Sequence, residues 1–187
     1  TPARQDGMHP IMFMQCGEIA YESKKEIKKV HTLKTVISTF EALSDDFSLI
    51  LNEMVENFDR NNLIISEIEK LKDRNILVLS ERIEHLNILY HLLDAKKIKS
   101  TLIHGGLKSK MKKEFLKEAN SSSIILSTSS FIGEGIDFSH LDAIVLAMPI
   151  SYWGRIVQYL GRIGRNGQDC VAIDFFDENT PILRSSF

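Results

Sequence analysis

The sequence predicts an α/β fold: a doubly wound parallel sheet with helices on both faces. Two observations carry that prediction. After Asp73 the chain alternates short apolar runs, each bounded by turn residues, with longer segments whose apolar residues recur at threes and fours. The segments between successive runs are long enough for crossover connections, which parallel strands require and hairpins do not. Right-handed crossovers then place helices on both faces of one sheet.

The elements follow in order. "NILVLS" (75–80) is a strand and "IEHLNILYHLLDAKK" (83–97) an amphipathic helix. "STLIHGG" (100–106) is a strand ending on two glycines, followed by a helix over "SKMKKEFLKEA" (109–119). "SIILST" (123–128), "AIVLAM" (143–148) and "CVAIDFF" (170–176) are three further strands, connected through helical segments near 131–133 and 154–164. Ahead of Asp73 the pattern differs. "TPARQDGMHP" reads as loop, "IMFMQCGEIAY" as a short strand and turn, and "LKTVISTF" alternates as a strand does. Asp45 to Leu71 has helical periodicity. Asn61-Asn62 is the expected break between two helices, and Glu53, Glu56 and Asp59 form an acidic face nearby.

Composition narrows the function. A chain of 187 residues with 43% hydrophobic and 26% charged residues fits one soluble globular domain, or one domain plus a small appendage. The apolar runs are too short to span a bilayer, so no membrane partner is expected. Cys16 and Cys170 are too few for a disulfide framework, and no signal-like segment opens the sequence, so the expected compartment is the cytoplasm. The histidines lack metal-ligand spacing, and no metal site is expected in the chain itself. A net charge of −2 leaves nucleic acid open, provided a local basic face exists. Residues 96–117 supply one candidate, with Lys96, Lys97, Lys99, Lys108, Lys110, Lys112, Lys113 and Lys117, although a solvated helix face is the better reading for most of these.

In such sheets ligands collect beyond the carboxyl ends of the strands. That rule selects "SER" (80–82), "HGG" (104–106), "STSSFIGEGIDF" (127–138) and "MPIS" (148–151). In the third, Gly133 and Gly135 permit close backbone approach, Asp137 offers a carboxylate to sugar hydroxyls, and Thr128 and Ser129 offer hydroxyls and N–H groups to a phosphate. A tight turn capped by Asp137 fits the same spacing. Tyr152 and Trp153 more simply pack the following helix than stack on a base. "QYLGRIGR" (158–165) places Gln158, Arg162 and Arg165 at helical spacing, each arginine directly after a glycine. Guanidinium groups fork onto phosphate oxygens, so this stretch is a candidate anion site.

"QYLGRIGR" resembles motif VI of superfamily 2 helicases and "STSSFIGEGID" motif V. "NILVLSERIEHLNIL" is similar to motif IV with its helix, and "LIHGG" to the short H-G motif after the next strand. All occur in the family's order. Thr1 and Pro2 resemble the tail of motif III, and the phrases around "IGEGIDFSHLDAIVLAMPIS" resemble DEAD/DEAH-type helicases related to restriction-enzyme helicase subunits. The resemblance implies a second, RecA-like domain. Residues 1–35 would be an interdomain linker and first strand, 36–72 a helical segment packed on the domain, and 73–187 the RecA-like helicase C-terminal domain.

The resemblance also implies roles. Arg162 and Arg165 would be arginine fingers reaching the γ-phosphate of ATP, with Gln158 beside them. Gly135 and Asp137, and with them Glu134, would lie at the nucleotide; Glu134 stands where motif V often has an arginine or a small residue. Ser80, Arg82, His104, Gly105, Thr128 and Ser129 would contact the nucleic-acid backbone. The implied cofactor is ATP with Mg2+, the magnesium held by an N-terminal RecA-like domain of the same protein, because neither a G-x-x-x-x-G-K-[ST] loop nor a D-E-x-D/H motif occurs here. The implied partner is DNA, or RNA. This chain alone is therefore expected to be inactive as an ATP hydrolase. The alternative is a non-catalytic RecA-like module that binds nucleic acid or regulates.

Overall fold

The computed structural model describes residues 14, 31–106, 119, 122–133, 140–149, 159, 163 and 169–184. Their strands are β1 (His31–Ser38), β2 (Ile76–Ser80), β3 (Thr101–Ile103), β4 (Ile124–Thr128), β5 (Ala143–Leu146) and β6 (Cys170–Asp177). The described helices are α1 (Phe47–Glu56), α2 (Phe58–Lys70), α3 (Ile83–Ala95), the short α4 (Ser129–Gly133) and α5 (Pro181–Arg184). The strands form one six-stranded sheet in the order β1-β6-β5-β2-β4-β3. Every pairing is parallel.

The central strands explain themselves. Every residue of β2 (ILVLS), β4 (IILST) and β5 (AIVL) is buried, the pattern of parallel strands covered on both faces. Period-two alternation divides their side chains between two cores. Ile76, Val78, Leu126, Val145 and Phe175 face α2 and α3, meeting Ile64, Ile68, Leu86, Leu89 and Leu93. Leu77, Leu79, Ile125, Ile144 and Ala172 face the other way, toward Ala119, Phe131, Tyr159 and Ile163. A third, smaller core joins Phe40, Ile50, Met54 and Val55 to Met148 and Leu183. It seats α1 near the carboxyl end of β5.

Two readings of the sequence need correction. The helix break lies at Asn57, not at Asn61-Asn62. Asn57 is extended (φ −68°, ψ 111°), closes α1 and caps α2, its side chain accepting from Arg60 N at 2.8 Å. Asn61 is tolerated inside α2 because its buried amide is satisfied by Val55 O at 2.9 Å and by His85. The first described strand is His31–Ser38, beginning and ending two residues before "LKTVISTF". It pairs with β6 along its length, Ser38 opposite Asp177, and so runs past residue 35, where the linker and first strand were expected to end. Lys34 of β1 reaches Glu67 of α2, which also takes Lys70. Burial would raise the Glu67 carboxyl, but the two lysines outweigh it and hold its pKa below the ordinary value.

Among the described residues no helix is long and apolar enough to cross a membrane.

Candidate functional site

Sheet order brings three of the expected contact segments side by side. β4 lies between β2 and β3, with Ser80 opposite Thr128 and Ile103 opposite Ser127. Ser80, Thr128 and His104 therefore emerge from neighbouring strand ends on one edge, the carboxyl edge where open α/β sheets bind ligands.

At the end of β2, Ser80 is 1% exposed and its hydroxyl is the hub of a buried relay. Asn61 Nδ2 donates to Val55 O, which leaves Asn61 Oδ1 as the acceptor for His85 Nε2 at 2.8 Å. With Nε2 donating, the neutral ring offers Nδ1 to the Ser80 hydroxyl at 3.1 Å. Ser80 Oγ in turn accepts from Arg82 N at 3.2 Å. The ring stays neutral because burial, and then the Arg60 charge, push its pKa down to about 3. Ser80 thus orders the loop from within, and Arg82, half-buried with its backbone fixed, is the side chain the loop carries toward the surface.

At the end of β4, Thr128 and Ser129 are both buried. Thr128 Oγ1 lies 3.4 Å from Ser130 Oγ, and the Ser129 hydroxyl has no hydrogen-bond partner among the described residues. Ser129 O accepts from Tyr159 OH at 3.4 Å. Tyr159 and Ile163 are buried in the same core as Phe131, and Ile163 N donates to Tyr159 O at 3.3 Å. At the end of β3, His104 Nδ1 is buried without a hydrogen-bond partner among the described residues, and Gly106 lies so close that a Cβ there would meet that atom at 3.1 Å. Gly105 has open space around it.

Gln158, Arg162, Arg165, Glu134, Gly135 and Asp137 lie outside the described residues. So do Tyr152, Trp153 and the lysines from Lys108 to Lys117, while Lys96, Lys97 and Lys99 are exposed and Lys96 pairs with Glu69 at 2.8 Å. Among the described residues no His, Cys, Asp and Glu cluster is placed to hold a metal.

The sequence did not single out the polar centre under this edge. Arg60 is buried against Asp177 and Ala147 O, and Asn61 beside it begins the relay to Ser80. Only a histidine on the apolar face of α3, five residues after a strand-end serine, hinted at the relay. Arg60 also weighs on Asp174 of β6, whose carboxyl burial lifts to about 6 against the hydrogen bond from Phe175 N and the Arg60 charge.

The model of the helicase conserved C-terminal domain matches residues 59–167, more than half of the chain. No curated protein sequence matches. Among solved structures, E. coli DEAD-box protein SrmB bound to regulator of ribonuclease activity A superposes with a TM-score of 0.62 at 15% identity, over 84% of this chain and 84% of that one. S. cerevisiae Dbp5 bound to RNA and ADP BeF3 superposes with a TM-score of 0.60 at 16% identity, over 80% of this chain and 36% of that one. T4 UvsW gives a TM-score of 0.62 at 15% identity, over 81% of this chain and 33% of that one. The chain thus spans about a third of the length of Dbp5 and of UvsW.

Proposed function

Because the chain belongs to the family of helicase conserved C-terminal domains of superfamily 2, with their RecA-like α/β sheet, we infer that it is the second motor domain of an ATP-dependent nucleic-acid helicase or translocase. The observation that supports this reading most is the alignment of Ser80, Thr128 and His104 on adjacent strand ends. One edge of the sheet then gathers the Thr128 hydroxyl, the His104 imidazole and backbone N–H groups, with Arg82 beside them on the loop that Ser80 orders from within. Such groups suit phosphate oxygens and read no base sequence.

In this reading an N-terminal RecA-like domain of the same protein grips the triphosphate and magnesium, and the nucleotide lies between the two domains. Bound ATP with Mg2+ supplies the phosphoryl group whose transfer to water drives the cycle. Gly135, Asp137 and Glu134 approach the ribose. Gln158 meets the nucleotide, and Arg162 and Arg165 offset charge on the γ-phosphate as it is transferred. Closing and reopening of the cleft moves the strand-end groups along the nucleic-acid backbone. The structure of Dbp5 with RNA and ADP BeF3 favours RNA as one track for a domain of this shape, and DNA offers the same phosphates.

The test is nucleic-acid-stimulated ATP hydrolysis by the full-length protein carrying this chain. Arg162→Ala or Arg165→Ala should lower turnover by on the order of 10³–10⁵ while ATP still binds. Unchanged turnover in both variants would reduce the stretch to a docking surface and favour a non-catalytic binding module.

A further inference from the structure

Residues 35–59 carry Glu41, Asp45, Asp46, Glu53, Glu56 and Asp59 and no lysine or arginine, in a chain whose net charge is only −2. The rest of the molecule therefore bears a small positive excess. Asp46 is used in capping α1, and Glu53 accepts from Leu43 N at 2.7 Å, which folds the loop after β1 back onto α1. Glu41, Asp45, Glu56 and Asp59 are exposed and enter no ion pair among the described residues, whereas Glu67 nearby takes two lysines.

Large apolar side chains stand among these acids. Leu43 is 96% exposed, Phe58 70% and Leu49 52%. Single exposed apolar residues are ordinary, but several gathered on one short segment mark a surface that something covers. Where the end of β1 meets the start of α2, a cleft of about 300 Å³ is lined by Ile37, Phe40 and Leu63 together with Glu41 and Asp59. Arg60 also lines it but leaves the two acids unpaired, because its guanidinium is spent on Asp177 and Ala147 O.

The geometry points to this surface as a protein-docking site whose occupant is a basic amphipathic segment. A lysine or arginine of that segment enters the cleft between Glu41 and Asp59, and its apolar neighbours cover Leu43 and Phe58. Nucleic acid is the wrong occupant, since its phosphates would face carboxylates. Most of these residues precede the family match, which begins at 59; of the cleft lining only Asp59, Arg60 and Leu63 fall inside it. Sheet order keeps it apart from the candidate track: β1 is one edge, while β2, β4 and β3 run to the other.

The experiment titrates the isotope-labelled 187-residue chain with a synthetic helical peptide of leucine and lysine. A leucine–glutamate peptide and a single-stranded oligonucleotide serve as the other probes. Amide shifts from the leucine–lysine peptide should fall on residues 41–59, with a roughly micromolar Kd. Glu41→Lys with Asp59→Lys should weaken it about tenfold or more, as should Phe58→Ser. Leu43→Ser, on an exposed loop residue, is the second apolar variant should Phe58→Ser misfold. The proposal is overturned if the shifts fall elsewhere, or if the charge-reversed variant binds as tightly. It is equally overturned if the glutamate peptide binds as well or the oligonucleotide shifts the same amides.

Discussion

Arg60 of α2 and Asp177 at the end of β6 form a two-pronged ion pair, Nε to Oδ1 at 2.9 Å and Nη2 to Oδ2 at 3.2 Å, with both side chains 1% exposed. The third prong, Nη1, donates to Ala147 O at 2.7 Å, and the guanidinium lies 5.7 Å from the ring centre of Phe175. One side chain thus fastens the first turn of α2 to the carboxyl ends of two strands. Removing one partner of a buried pair leaves an uncompensated charge, at a cost of about 3–5 kcal/mol. Arg60→Met should lose that much in urea unfolding, whereas Arg60→Met with Asp177→Leu should recover most of it. A single variant within about 1 kcal/mol of the parent would show that water reaches Asp177.

Two buried groups should give the pH dependence of stability opposing parts. His85 falls from 6.5 to about 3 in the folded chain, so between those values only the unfolded chain takes up the proton. Its contribution to stability is full above 6.5 and is lost as pH falls toward 3. Asp174 rises from 3.8 to about 6, so its contribution is full below 3.8 and is lost as pH rises through 6. Between them the slopes oppose. Asp174→Asn, which keeps an acceptor for Phe175 N, should stabilise the chain near neutral pH by on the order of 1–3 kcal/mol and steepen its loss in acid. His85→Gln should flatten that loss. Melting temperatures across the acid range decide, and parallel curves for all three proteins would reject both assignments.

Ser129 offers a simpler test. Its hydroxyl is buried with no partner among the described residues, and an unsatisfied polar group costs about 1–3 kcal/mol. Ser129→Ala should therefore be neutral or stabilising in urea unfolding by up to about 1 kcal/mol, the small cavity offsetting part of the gain. A clear loss of stability would reveal a partner that the hydroxyl holds in solution.

The fold was legible where the sequence is locally consistent. β2, β4 and β5 are unbroken apolar runs because both of their faces are covered, and α3 is plainly amphipathic. The helix break was misplaced because two adjacent asparagines look like a turn; only tertiary contacts to Val55 O and His85 make Asn61 a good interior residue. The Arg60–Asp177 pair spans 117 residues and has no local signature at all. Strand ends were legible as candidate contact points, since topology alone selects them. That Ser80 would be consumed internally was not, because it depends on a histidine arriving from α3.

That internal use of Ser80 separates two substitutions that the site's reading would otherwise treat alike. If Arg82 meets a phosphate, Arg82→Ala should weaken nucleic-acid binding and reduce the salt dependence of log Kd by about one unit of slope, one contact fewer. Ser80→Ala removes no contact with phosphate. It strips the acceptor from Arg82 N and the donor from His85 Nδ1, which loosens the loop that presents Arg82. Its expected signature is a weaker Kd with an unchanged slope, and a stability loss of roughly 1 kcal/mol. Binding isotherms of the full-length protein at several salt concentrations read both quantities. An unchanged slope in Arg82→Ala would remove Arg82 from the track, and a reduced slope in Ser80→Ala would mean that the relay sets the charge at this edge as well as its geometry.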